Sequence, residues 1–85
     1  LSMGIANKVV ELDALSSETK KWAEHLSKRS PQALSLTKKL MNDSITQSYD
    51  ETFKAEAEAQ NNIFGSDENM EGVKAFLEKR EPNFK

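Results

Sequence analysis

The sequence of 85 residues contains no cysteine and a single histidine, His25. Without cysteine the chain has no disulfide, no thiolate nucleophile and no zinc-finger ligand spacing. One histidine does not supply the multi-histidine cluster that many metal centres use. We therefore expect no metal site, no bound cofactor and no cysteine-based catalysis in these residues.

The sequence also has no large excess of basic over acidic residues, or of acidic over basic ones. The 12 basic residues are balanced by 14 acidic ones, which gives a net charge of −2. Nucleic-acid binders usually carry a clear basic excess, and anionic membranes attract polybasic clusters. The sequence lacks both a long apolar run and the charged start and apolar core of a signal peptide. We expect neither nucleic acid nor membrane as a partner, and a cytoplasmic location (mitochondrial matrix or peroxisome in a eukaryote).

What the sequence does contain is a helical repeat of apolar side chains. The stripes are Leu15, Thr19, Trp22, Ala23 and Leu26, then Ala33, Leu36, Thr37, Leu40 and Met41, then Phe53, Ala57, Gln60 and Phe64, and finally Val73, Phe76 and Leu77. Spacings of three and four residues are typical of amphipathic helices. We therefore predict an all-α fold of about four helices. Because the chain is short, it buries little more than about 60% of its unfolded surface, and we expect modest stability.

Several polar residues, glycines and prolines predict where these helices begin and end. The signals are an N-cap at Asp13, Ser30 followed by Pro31, a capping box from Ser48 to Glu51, the Gly65-Ser66-Asp67 junction, and Pro82 after the last helix. Serine accepts from free amides at a helix start, proline is tolerated at the first helical position, and glycine suits the position after a helix. The last helix is expected to run to about Arg80.

The segment before the first helix, Met3 to Leu12, reads as extended or as the end of a strand. A lone strand cannot satisfy its own backbone donors and acceptors, so the partners of such a strand would lie elsewhere. We therefore divide the chain into residues 1–12, an extended segment, and residues 13–85, a helical domain.

Most candidate site residues have an ordinary explanation. Glu56 and Glu58 are two positions apart on a helix, so they point in different directions and are expected to form a solvated acidic face. His25 is expected to be a partly exposed surface residue, and Lys38-Lys39 to be solubilising charge. Trp22 lies in the stripe of the first helix and is expected in the core.

The last segment is different because several unusual features coincide in it. Gly72 lies inside a predicted helix, where glycine costs about 1 kcal/mol relative to alanine. Phe76 follows four residues later, and Lys79 and Arg80 come near the helix end, where cations suit the helix dipole. The simple interpretation is a capped terminal helix with one small-residue contact.

Residues 67–84, DENMEGVKAFLEKREPNF, resemble the C-terminal signature of the enoyl-CoA hydratase/isomerase (crotonase) superfamily, Glu-Gly-x-x-Ala-Phe-x-Glu-Lys-Arg-x-Pro-x-Phe. Residues 30–38, SPQALSLTK, are similar to the family's Ser-Pro-x-Ala helix with its later Thr-Lys. Residues 3–10, MGIANKVV, resemble the stretch that closes the family's core domain. One departure is Glu81, which stands where lysine is common. The resemblance extends over nearly the whole chain in the same order.

This resemblance implies that the chain is the C-terminal helical domain of a crotonase-type enzyme acting on acyl-CoA thioesters. Residues 1–12 would then be the end of its core domain, and the catalytic residues would lie outside these 85 residues. The helices would cover the active site and contact neighbouring subunits of a homotrimer, with Gly72 allowing close helix approach. Phe76 and Lys79 would line the coenzyme A end of the pocket.

The resemblance leaves the reaction open among hydration, isomerisation, hydrolysis and decarboxylation, and it leaves the acyl chain length open. Two other readings stand beside it: a free-standing helical module that binds a partner helix, and a small acyl-CoA carrier bundle.

Overall fold

The computed structural model describes residues 1–84, and in that range it has four α-helices and no β-strand. Helix α1 spans Leu15–Ser27, α2 spans Pro31–Asp43, α3 spans Tyr49–Ile63 and α4 spans Asp67–Glu78. A short 3-10 turn, Leu12–Ala14, leads into α1. The predicted all-α class and the number of helices are confirmed.

The N-terminal segment has no regular secondary structure up to the 3-10 turn. It begins with a turn in which Gly4 N donates to Leu1 O at 3.1 Å, with Gly4 at a φ of 78°. The Lys8 ammonium then lies 2.6 Å from the Glu18 carboxylate of α1. The segment is therefore attached to α1 by a side-chain ion pair, and the division at residue 12 stays a prediction.

The start of α1 differs from the prediction. Asp13 is not its N-cap, because that position is Ala14, which has no side-chain acceptor. Asp13 lies inside the 3-10 turn, where Ala14 N donates to Glu11 O at 3.0 Å. A 3-10 turn closes on a backbone carbonyl, so this helix begins without a carboxylate cap.

The helix boundaries predicted at Ser30, at Ser48 and at Gly65-Ser66 are confirmed. Ser48 Oγ accepts from Glu51 N at 3.1 Å while the Glu51 carboxylate accepts from Ser48 N at 3.2 Å, which completes the capping box. Gly65 takes the left-handed conformation after α3, with a φ of 80°. Ser66 directly follows as the N-cap of α4, its hydroxyl accepting from Asn69 N at 3.2 Å.

Helices α2 and α3 pack against each other, but α3 uses a different face from the predicted one. Its inward residues are Thr52, Ala55, Ala59 and Ile63, at helical spacing. The predicted stripe through Phe53 and Phe64 is exposed, with Phe64 85% accessible. Small side chains let two helix backbones approach, so the alanine face packs here and the aromatic face remains outside. The predicted packing face of the third helix was wrong for this chain.

The four helices form an open arrangement. The radius of gyration is 16.6 Å, whereas a compact domain of this length has about 12 Å. The accessible surface is 7591 Å², against about 5,100 Å² for a compact monomer of this size. Within the described residues, the buried apolar side chains are those of Ala59 and Ala75, at 7% and 1% exposure. Most large apolar side chains therefore lie at the surface.

One carboxylate joins α4 to the start of α2. Glu68 Oε2 accepts from the Ser30 hydroxyl and from Gln32 N, the latter at 3.1 Å. Ser30 Oγ also accepts from Ala33 N at 3.0 Å. Since Pro31 has no amide hydrogen, these contacts and the helical bond from Leu34 N to Ser30 O occupy the amides of the first turn. The negative charge of Glu68 also suits the helix N-terminus.

We expect Glu68→Gln to destabilise the chain by about 1 kcal/mol, because it removes the charge that meets the α2 N-terminus and weakens an acceptor for two donors. Urea denaturation followed by circular dichroism measures this change. Glu58→Gln makes the same chemical replacement at an exposed carboxylate of α3 and serves as the matched control. Equal stability of the two variants would contradict a structural role for Glu68.

Candidate functional site

The end of α4 brings the predicted site residues together at a left-handed turn. Lys79 has φ 55° and ψ 44°, and its N–H donates to Phe76 O at 3.2 Å. Arg80 N donates to Ala75 O at 3.0 Å. This pair of bonds forms a Schellman motif with Lys79 in the position that glycine usually takes. The helix therefore ends at Glu78, two residues before the predicted end.

Lysine is a costly residue at this position. A left-handed backbone brings Cβ close to the following carbonyl oxygen, and holding a non-glycine residue there costs on the order of 1 kcal/mol. Glycine would end the helix without that cost. The turn therefore places a lysine just beyond the helix end at the cost of backbone strain. Such strain is most common at functional positions.

The residue after Lys79 is held by two carboxylates. Arg80 Nη1 donates to Glu71 Oε1 at 2.6 Å and Nη2 to Glu71 Oε2 at 3.3 Å, a two-pronged contact. Arg80 Nε donates to Glu78 Oε2 at 2.6 Å. Glu71 Oε1 also accepts from Asn83 N at 3.2 Å. Arg80 is therefore engaged within the chain, and among the cations at this helix end Lys79 is the better candidate for an outside ligand.

These contacts shift the ionisation of both partners. The hydrogen bonds from Arg80 and from the Asn83 amide lower the pKa of Glu71 below its ordinary value of 4.5. The hydrogen bonds to Glu71 and Glu78 raise the pKa of Arg80 further above neutrality. Both groups are therefore charged at pH 7, and the ion pair is intact there.

Phe76 lies on the outer face of α4, with 82% of its surface accessible. Met70, Val73 and Leu77 are also exposed on this helix. We call these four side chains the outer face of α4. Phe76 and Lys79 are three residues apart at the end of α4, and both are exposed. Their role as ligand-binding residues stays a prediction.

Gly72 faces the C-terminal tail. A Cβ added there would lie 3.9 Å from the Phe84 ring, which is an ordinary van der Waals distance. Its φ is not in the left-handed region, unlike that of the other two glycines, Gly4 and Gly65. No contact within the described residues therefore requires glycine at this position, and close approach of another helix to Gly72 stays a prediction.

The remaining candidate site residues lie at the surface as predicted, except that Trp22 was predicted in the core. His25 is exposed and within 3.1 Å of Arg29 Nη2, and Glu56 and Glu58 are exposed on α3. Trp22, predicted in the core, is 49% exposed beside a depression that the N-terminal segment forms with α1. That prediction fails in residues 1–84 because α1 packs on the 3-10 turn and its apolar stripe is left uncovered.

Two carboxylates that bind residues distant in the sequence were missed by the sequence reasoning. Glu68 is 38 residues from Ser30, and Glu71 is nine residues from Arg80. Neither separation matches the three- and four-residue spacing at which helical side chains meet, so the local pattern gives no signal for them. In the part of the chain that is described, no helix is long and apolar enough to cross a membrane, and no cluster of ligands for a metal is present.

The described helices form an open set whose large apolar side chains lie mostly at the surface. Comparison with known proteins identifies its relatives. The sequence profile of the family described as Enoyl-CoA hydratase/isomerase matches residues 1–85. Methylmalonyl-CoA decarboxylase of Escherichia coli K12 is 36% identical over 87 aligned positions, which cover 99% of this chain and 33% of that protein. Crotonyl-CoA hydratase of Syntrophomonas wolfei is 35% identical, with 96% and 32% covered.

Solved structures of enoyl-CoA hydratases also resemble this chain. An enoyl-CoA hydratase from Polaromonas sp. JS666 superimposes with a TM-score of 0.94 at 28% identity, over 99% of this chain and 33% of that one. The chain spans about a third of the length of these relatives. It belongs to the enoyl-CoA hydratase/isomerase family.

We expect Lys79→Gly to raise the stability of the chain by about 1 kcal/mol, because glycine takes the left-handed conformation without strain. Lys79→Ala removes the same charge but keeps Cβ, so it should not give this gain. Thermal unfolding of the two variants measures the difference. Equal melting temperatures would contradict the left-handed turn at Lys79.

The Glu71 ion pair makes stability depend on pH. Because its pKa is lowered in the folded chain, the contribution of Glu71 is complete above its ordinary value of 4.5 and is lost as the pH falls through the lower folded value. As the pH falls below about 4.5, the unfolding free energy should therefore fall more steeply in the wild type than in Glu71→Gln. Urea titrations across this range test it, and parallel curves for the two proteins would contradict the ion pair.

Proposed function

We propose that this chain is the C-terminal helical domain of a crotonase-type enzyme that acts on acyl-CoA thioesters, where it covers the active site and contacts neighbouring subunits. The observation that carries this proposal is the combination of an open helix arrangement with its close superposition on one third of a complete enoyl-CoA hydratase. An isolated helical bundle would be expected to close around its apolar side chains. The helices of this chain instead have an open arrangement, which suits a segment that covers another part of a protein.

The exposed area supports the same proposal. The chain exposes about 2,500 Å² more surface than a compact monomer of its size. Standard protein–protein interfaces bury about 800 Å² on each partner. The excess is therefore enough for contacts with a core domain and with a neighbouring subunit. The aromatic face of α3 (Tyr49, Phe53 and Phe64) and the outer face of α4 offer apolar surface for them.

The substrate contact that we propose involves Lys79 and Phe76. An ammonium serves as a point charge toward a phosphate of coenzyme A, and an exposed ring offers stacking or apolar cover. The strained turn supports this role because it puts the Lys79 side chain beyond the end of α4. Arg80 is paired with Glu71 and Glu78 and is not part of the proposed contact.

The chemical step belongs to the rest of the enzyme in this proposal. Oxyanion-stabilised chemistry on a thioester needs hydrogen-bond donors aimed at the thioester oxygen and, for hydration, carboxylates placed to handle water. The helices would contribute cover and assembly. Hydratases and a decarboxylase are both among the relatives, so the reaction type depends on residues outside this chain.

In the complete enzyme we expect Lys79→Ala to raise the Michaelis constant for acyl-CoA by up to about tenfold while turnover changes little. That pattern reports lost binding that is equal in the ground state and the transition state. Steady-state kinetics on acyl-CoA and on the corresponding pantetheine thioester, which lacks the nucleotide phosphates, measure it. Lys54→Ala makes the same replacement at an exposed lysine of α3 and is the matched control.

The truncated thioester should not respond to Lys79→Ala. An equal loss on both substrates would show that Lys79 is structural and would remove it from the proposed coenzyme A contact. Hydratase activity of the purified 85-residue chain on short enoyl-CoA substrates would contradict the assignment of the chemistry to the rest of the enzyme.

A further inference from the structure

We propose that Glu71 is a positioning residue for the coenzyme A contact, because its two-pronged ion pair with Arg80 holds Lys79 in the left-handed conformation. This inference rests on the proposed function of Lys79. It assigns a role to Glu71 although the contacts of its carboxylate are with Arg80 and with the chain's own tail at Asn83.

The geometry places Lys79 between two anchored points. On its helix side, Lys79 N donates to Phe76 O, and on its other side Arg80 N donates to Ala75 O. The Arg80 guanidinium then reaches back along α4 to Glu71, nine residues earlier, and binds both carboxylate oxygens. A carboxylate and a guanidinium match in such a fork, which fixes orientation as well as distance.

The same carboxylate also fixes the chain beyond Arg80. Glu71 Oε1 accepts from Asn83 N at 3.2 Å, so the tail is held beside α4 on both sides of Pro82. Phe84 lies over Gly72 at the end of this tail. Glu71 therefore closes a loop from residue 80 to residue 83 against the helix, and Lys79 is the residue at which the chain turns into that loop.

This arrangement limits the conformations open to Lys79. A left-handed lysine is strained, so a free chain end would leave that conformation. A change of φ at Lys79 would swing Arg80 away from α4 and break its contact with Glu71. The direction of the Lys79 Cα–Cβ bond follows from the backbone conformation, so the ion pair also sets the direction in which this flexible side chain leaves the backbone.

Glu78 also binds Arg80, but it restrains the guanidinium less than Glu71 does. It makes one contact, to Arg80 Nε, and it lies next to Lys79, so it can follow the chain if the turn opens. Its side chain is also more exposed than that of Glu71, 47% against 24%. Glu71 is therefore the anchor, and Glu78→Gln is a matched control that removes a carboxylate charge from the same guanidinium.

The first test uses the chain alone and needs no substrate. We expect Glu71→Gln to lower the left-handed population of Lys79, read from its backbone chemical shifts and its N–H to Hα coupling by NMR. Arg80→Lys keeps the positive charge but loses the fork, and it should act in the same direction. Glu78→Gln should change these signals less. Left-handed signals that stay unchanged in Glu71→Gln and Arg80→Lys would overturn the proposal.

The second test uses the complete enzyme. We expect Glu71→Gln to raise the Michaelis constant for acyl-CoA by about two- to fivefold, with no such rise for the pantetheine thioester and no further rise when Lys79→Ala is already present. A merely structural role would instead affect both substrates and would add to Lys79→Ala. Either of those results would overturn the positioning role.

The two proposals fail in distinguishable ways. If Lys79→Ala leaves the Michaelis constant unchanged, the coenzyme A contact itself is wrong, whatever Glu71 does. If Lys79→Ala raises it and Glu71→Gln does not, the contact stands and the positioning role of Glu71 is wrong.

Discussion

The hydrogen bonds of the Glu68 carboxylate at the start of α2 are the contact on which the helix arrangement depends. Within residues 1–84, the side-chain hydrogen bonds between different helices come from this carboxylate, which binds the Ser30 hydroxyl and Gln32 N. Little else fixes α4 relative to α2, because the buried apolar side chains are two alanines. A polar, directional contact therefore joins α4 to α2, while α2 and α3 pack through the small side chains of α3.

Because few apolar side chains are used in contacts between the helices, the apolar faces of the helices remain exposed. Residues that a compact domain would bury, such as Trp22, Phe53 and Phe76, lie largely at the surface. Large exposed apolar surfaces mark interaction sites. The chain belongs to the enoyl-CoA hydratase/isomerase family and spans about a third of the length of the relatives it matches, so we propose that these surfaces contact the rest of a larger enzyme. The end of α4 also presents an exposed charged residue, the left-handed Lys79.

Local signals predicted the helices well and the packing poorly. The caps at Ser30, Ser48 and Ser66 depend on residues within one helical turn, and the structure has each of them. The packing face of α3 was predicted wrongly because that helix has two usable faces. The larger aromatic side chains dominate the sequence pattern, but the alanine face meets α2. Only the position of a neighbouring helix decides between such faces.

The sequence by itself determined the all-α class, the number of helices, most of their ends and the family resemblance, because each is encoded by neighbouring residues. It also brought Phe76 and Lys79 to attention through the family signature. The tertiary structure alone decided that Lys79 is left-handed, that Arg80 is bound by Glu71, and that Glu68 meets α2. The physical reason is distance along the chain: these contacts join side chains that helical spacing does not bring together, so they exist only once the chain has folded.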